Sequence, residues 1–197
     1  VDQIAYAVNF MSGLASAFTI LFMFWSMTML LKKISQWTLE SSQAQSIAIL
    51  GASAVGSLAY TFSDSFWFSA VEAEVYAMSS FLMAALFWLG LKWEENMDKI
   101  DGNKWLLLIS LTVGLSFGVH ILSLLVIPAI VFLYLYKHYD LSSPRNFIIA
   151  NGVAIAILAL IFKVLFPFTL KFFSVSELFF VNTIGLPFNS GSIIAML

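Results

Sequence analysis

Residues Thr61 to Tyr76 read TFSDSFWFSAVEAEVY and lie between two apolar runs, Ser46 to Phe62 and Ala70 to Trp93. The stretch holds three carboxylates (Asp64, Glu72, Glu74) and an aromatic cluster (Phe66, Trp67, Phe68, Tyr76). Charge left unpaired among aromatic and small apolar residues is costly. The stretch is therefore either a membrane-surface turn with well-made caps or part of a site. The flanking runs decide the fold, because each approaches the ~20 apolar residues that cross a hydrocarbon core of about 30 Å.

Composition agrees. Hydrophobic residues make up 61% and charged residues 10% of the 197, against about 45–50% and about 25% in soluble domains. The mean hydropathy is +0.95. The expected fold class is all-α, a polytopic transmembrane helical bundle. With no cysteine, disulfides and thiolate sites are excluded. Two histidines make a dedicated transition-metal site unexpected. No cofactor is expected and metal dependence stays open. No Walker loop, dinucleotide fingerprint, HExxH or GxSxG is present, nor any nucleic-acid footprint.

About six spans are expected, near 4–31, 46–62, 70–93, 104–117, 120–137 and 146–166, in one transmembrane domain. An interfacial segment over 168–190 and the start of a further span at 191–197 follow. The long run from Trp105 to Tyr136 divides at Gly114, Gly118 and His120, and Pro128 is expected to kink its second half. In the first span Asp2, Tyr6, Asn9, Gly13 and Ser16 recur at helical spacing, a face expected to point into protein. The start at Val1 and the apolar end GSIIAML imply a piece of a longer protein.

Basic residues set the orientation. Lys32, Lys33, Lys92, Lys99, Lys104, Lys137 and Arg145 fall in alternate connections, which the positive-inside rule places in the cytoplasm. Asp2, the Thr61–Tyr76 stretch, His120 and the 168–190 segment then share the outer face. Each has an ordinary reading beside a functional one. Ser69 and Glu72 fit a capping box, Asp64 can cap a helix starting at Ser65, and Glu74 suits a helix N-terminus. On a regular helix Glu72 shares a face with Tyr76 and Ser79, and the two glutamates cannot point into one pocket. Phe66, Trp67 and Phe68 fit an interfacial aromatic belt or a surface for a lipid tail or sugar. His120 is a phosphate donor or a helix-end histidine. Lys163 and Lys171 either snorkel or meet a phosphate.

The blocks SDSFWFSAVEAEVYAMSS (63–80), GLSFGVHILSLLVIPAI (114–130) and FVNTIGLPFNSG (180–191) resemble the bacterial protein O-mannosyltransferase-like membrane family. FMSGLASAFTILFMFW (10–25) also fits, and the resemblance covers essentially the whole chain. It implies a GT-C-like architecture in the bacterial inner membrane, with the active face periplasmic. It implies transfer of a sugar, mannose, from a polyprenyl-phosphate donor to Ser/Thr hydroxyls of an acceptor protein, among membrane lipids. It also implies that the main catalytic base lies on an outer loop before Val1, so that this piece alone is inactive. Asp64, Glu72 and Glu74 are then supporting catalytic residues, and His120 and Lys171 meet the donor phosphate. Trp67, Phe68, Tyr76 and Asn182 line the substrate or lipid path. Two other classes stay open: a transporter or channel segment, and a non-catalytic module that binds lipid phosphate. Few ionisable residues sit at mid-span, which disfavours a solute path.

Overall fold

The computed structural model describes residues 2–72 and 74–197, apart from the side chain of Asp2. All regular structure among the described residues is helical. The chain forms two compact units, Val1–Ser142 and Ser143–Leu197.

The first unit contains α1 (Asp2–Ile34), α2 (Gln43–Thr61), α3 (Asp64–Val71), α4 (Val75–Asn96) and α5 (Asn103–Val119). A 3₁₀ turn, Ile121–Val126, then leads into α6 (Ile127–His138). Helix α4 is central. Its Leu86 and Leu89 form the core with Ile109 of α5, Val126 of the 3₁₀ turn and Ile130 of α6. Small residues permit close approach, as expected where lipid supplies no hydrophobic drive between helices. A Cβ on Gly90 would lie 2.9 Å from Ile130 Cγ1, and one on Gly56 would lie 3.0 Å from Met27 Sδ.

Helices α1 and α4 run parallel. Ring contacts Phe18–Phe81 (5.9 Å) and Trp25–Trp88 (5.5 Å) share one register. That register sets Ser12 level with Val75, the first residue of α4. Residues before Ser12 thus have no α4 opposite them, and the expected inward face is corrected. Tyr6, Asn9 and Gly13 are exposed, whereas the buried polar stripe is Ser12, Ser16, Thr19 and Ser26. The side chain of Asp2, which belonged to that expectation, lies outside the described part.

At the other end of α4 the charges pair. Lys33 of α1 bridges to Glu94. Lys137 of α6 donates to the Glu94 carbonyl at 2.7 Å and meets Asp98 at 2.8 Å. The Asp98 carboxyl is held below its usual range by that hydrogen bond from Lys137. Three helices are thereby tied at one end, with Glu94 about 29 Å from the start of α4 at 1.5 Å per residue.

The expected six spans are not all matched by spanning helices. Among the described residues four helices are long and apolar enough to cross a bilayer: Gln3–Ile34, Val75–Asn96, Ile121–His138 and Pro144–Thr183. A fifth arises if α2 and α3, bent by 68°, count as one. Helix α5 has 17 residues, about 26 Å at 1.5 Å per residue, and stops where His120 turns extended. The chain does divide at His120. Pro128 sits in the first turn of α6, just after the 3₁₀ turn, where a missing N–H is readily tolerated.

The second unit contains α7 (Pro144–Leu160), a π turn Ile161–Leu165, α8 (Phe166–Leu178), a second π turn Phe179–Thr183, and α9 (Ser190–Met196). From Pro144 to Thr183 the helix is unbroken, so backbone geometry marks no boundary between the span expected to end at 166 and the segment expected from 168. Pro167 lacks the N–H of the regular ladder, and the preceding turn widens to π spacing instead of breaking. Glu177 then organises the GLPFNSG turn. Its carboxylate accepts from Asn189 N (2.5 Å), Ser192 N (2.8 Å) and Ser192 Oγ (3.1 Å). Gly185 and Asn189 take the left-handed conformations this reversal needs, φ 82° and 73°.

Candidate functional site

The site begins with the linker between α2 and α4. Helix α2 ends at Thr61 with Phe62 as its C-cap, and Ser63 takes an extended N-cap conformation with no side-chain cap bond. The Ser63 hydroxyl instead donates to Tyr60 O at 2.8 Å. Asp64 is therefore the first helical residue and not the cap; it stays in the first turn, where the helix dipole favours an anion. The capping box at Ser69 and Glu72 does not form. Ser69 lies inside α3 and donates to Ser65 O at 3.0 Å. Glu72 is the C-cap of α3 (ψ 142°) and Glu74 the N-cap of α4 (ψ 163°), both extended.

This corrects a second expectation. The third span begins at Val75 and not at Ala70, so Glu72, Tyr76 and Ser79 do not share one helix face. Nor does helix geometry force the two glutamates apart, since neither occupies a regular helix. Asp64, Glu72 and Glu74 are all exposed. Among the described residues none of the three carboxylates has a hydrogen-bond or ion-pair partner. Their desolvation cost is small in this setting, and their acceptor oxygens are open.

One aromatic residue anchors the linker. Phe66 is 5% exposed, with its ring 4.8 Å from Tyr60 of α2. Successive residues of the short helix turn by about 100°, and Trp67 and Phe68 face outward, at 53% and 61% exposure. Helix α3 also lies against α1, since a Cβ on Gly13 would reach Ala70 O at 4.0 Å.

His120 meets the start of α4 from elsewhere in the chain. Its ring lies 5.4 Å from that of Tyr76. It ends α5 and begins the 3₁₀ turn, with Nδ1 accepting from Leu122 N at 3.1 Å. An Nδ1 that accepts carries no proton, so the neutral ring holds its proton on Nε2 and is a donor there. Ser123 Oγ donates to the His120 carbonyl at 3.0 Å, fixing the break further. Thus Tyr76 and His120, distant in sequence, stand together at the start of α4, two positions after Glu74 in the chain.

Lys171 and Asn182 belong to the second unit, on α8 and in the second π turn, and both are exposed. The helix rise separates them by about 16 Å. Sequence reading missed Tyr60 and Glu177. Tyr60 looks like one more aromatic at a span end, and Glu177 reaches its amides from twelve or more positions upstream, beyond any local capping pattern. Among the described residues no three His, Asp or Glu side chains converge as metal ligands.

The comparisons with known proteins fit the division of the molecule. No curated protein and no solved structure matches the chain. A family model, the protein O-mannosyl-transferase TMEM260 N-terminal domain, matches residues 1–143. The match ends one residue past the end of the first compact unit, and it contains Asp64, Trp67, Phe68, Glu72, Glu74, Tyr76 and His120. It extends over most of an all-helical chain whose long apolar helices suit an integral membrane protein. The chain therefore belongs to the family of the protein O-mannosyl-transferase TMEM260 N-terminal domain.

Proposed function

We propose that the chain is part of a membrane mannosyltransferase that takes its sugar from a polyprenyl-phosphate donor and passes it to Ser or Thr hydroxyls of protein. The reaction is placed on the membrane face opposite Lys32, Lys33, Lys92 and Lys137. Family membership supports the transfer of mannose. The observation that carries the site is the Tyr76–His120 contact, because it joins the first turn of α4, which follows the acid-bearing linker, to the histidine break.

Each residue then has a chemical part. An exposed carboxylate can orient an acceptor hydroxyl or take its proton, and Asp64, Glu72 and Glu74 supply three beside the same aromatic surface. The Nε2–H of His120 is a fixed donor suited to the charge that develops on a departing phosphate. Trp67, Phe68 and Tyr76 offer flat apolar faces to the sugar or the isoprenoid chain. For Lys171, as a phosphate contact, and Asn182, as a substrate contact, the proposal rests on the sequence.

The test is mannose transfer from a polyprenyl-phosphate donor to a Ser/Thr acceptor peptide, in membranes carrying the intact protein. Glu72→Gln, Glu74→Gln and His120→Ala are each expected to slow transfer roughly tenfold or more. Wild-type rates for all three would remove the site proposed here. Solute uptake without transfer would favour a transporter.

A further inference from the structure

His120 is half-buried and gives most of its polar groups to the break itself. Its N–H donates to Ser116 O at 3.0 Å, and its carbonyl accepts from Ser123 Oγ at 3.0 Å. Its Nδ1 accepts from Leu122 N at 3.1 Å. Only Nε2 is left, and nothing bonds it among the described residues. Ser116 and Ser123 are fully buried, so water does not compete for the bonds they make.

The ring therefore caps the 3₁₀ turn Ile121–Val126, the work that Ser, Thr, Asn or Asp usually does. A hydroxyl or amide cap is indifferent to mild acid, whereas imidazole takes up a second proton there. With both nitrogens protonated the ring has no acceptor. Nδ1–H then faces the Leu122 N–H, donor against donor, and the cap bond cannot form.

The elements packed against the break bring few charges to it. Helix α4 brings Tyr76, against the ring, and Glu74 at its N-cap; its Lys92, Glu94 and Glu95 lie at the opposite end. Helix α5 carries Lys104 alone, sixteen positions before His120. The 3₁₀ turn carries no ionisable residue, and those of α6 begin at Tyr134. The charge at the break is thus set at His120, with Tyr76 and Glu74 as its titratable neighbours.

Resting on the transfer site proposed above, we propose that His120 is an acid-labile latch on that site, with Ser123 as its positioning residue. The neutral ring holds the 3₁₀ turn and presents Nε2–H to the donor phosphate. On gaining a proton at Nδ1 it releases the Leu122 amide, turns away from Tyr76 and shuts off transfer. This direction is opposite to what charge alone gives, since an imidazolium attracts a phosphate more strongly than a neutral ring does. Geometry outweighs charge here, because the second proton is gained only by losing the bond that aims the ring.

The test uses the intact protein in lipid nanodiscs with nitrogen-15 histidine, the His120 signals being assigned by their loss in His120→Asn. In mildly alkaline buffer the wild-type ring is expected as one tautomer, with its proton on Nε2. As pH falls, the protection factor of the Leu122 amide should drop about tenfold over the interval in which the His120 signals report protonation. Mannose transfer should drop over the same interval, roughly tenfold or more. His120→Asn keeps a cap acceptor that does not titrate, so Leu122 protection should hold through the interval and the residual transfer should lose that drop. Ser123→Ala should bring the second neutral tautomer into view, which a general loss of stability would not do. A proton on Nδ1 of the neutral ring, level Leu122 protection while His120 protonates, or transfer that holds or rises through the interval would each overturn the latch. An unchanged tautomer in Ser123→Ala would overturn the role of Ser123. Transfer absent at every pH, with the NMR changes present, would overturn the proposed function and leave the latch standing.

Discussion

Gly90→Ala adds a single methyl group where α4 crosses α6. The new Cβ would sit 2.9 Å from Ile130 Cγ1 and 3.6 Å from its Cδ1, whereas carbon atoms rest at about 3.5–4.0 Å. At least half an ångström must therefore be found. The β-branched Ile130 has little rotamer freedom in a helix, and it is buried in the core with Leu86 and Leu89. The two helices must part, and such overpacking costs about 1–3 kcal/mol. Replacing glycine by alanine in a helix returns up to ~1 kcal/mol, so the net loss is about 0–2 kcal/mol. Gly51→Ala is the control, because a Cβ there meets nothing within 4 Å and only the propensity gain remains. The assay is unfolding in mixed micelles by SDS titration, in which Gly90→Ala should be about 1–3 kcal/mol less stable than Gly51→Ala. Ile130→Ala should recover most of that difference in a double-mutant cycle. A Gly90→Ala protein as stable as Gly51→Ala would refute the α4–α6 geometry.

Two further outcomes follow from the charged end of the first unit and the turn of the second. Asp98 titrates below its ordinary value near 3.8 because Lys137 hydrogen-bonds it; a depressed carboxylate adds stability above the unfolded value and loses it as pH falls through the folded one. Carbon-13 NMR should place the Asp98 midpoint below 3.8, and Lys137→Gln should return it toward that value. At Gly191 a Cβ would overlap backbone atoms of Glu177 and Ser176, so Gly191→Ala should cost about 3 kcal/mol or more. Hydrogen exchange at the Asn189 and Ser192 amides, both held by Glu177, should rise in that variant; unchanged protection would contradict the packing.

The helical class, the break at His120 and the separation of Lys-bearing connections from the acid-bearing stretch were all legible in the chain. They depend on local quantities: apolar run length, glycine and proline placement, and charge. The candidate site was legible in its membership and only partly in its form. Glu72 and Ser69 carry a capping signature, yet the chain leaves the helix at Val71 and re-enters it at Val75. A capping pattern states what a helix start can use, and it does not state where the helix starts.

By itself the sequence determined that this is a membrane-type helical chain with an acidic, aromatic stretch between two spans, because hydropathy and charge are summed along the chain. Only tertiary structure decided what that stretch is. The α1–α4 register buries Ser12 and Ser16 while leaving Tyr6 exposed. Phe66 packs against Tyr60 and turns Trp67 and Phe68 outward. Tyr76 comes to rest against His120, forty-four positions away. Contacts between helices depend on register and crossing geometry, and neither is encoded in any local pattern along the chain.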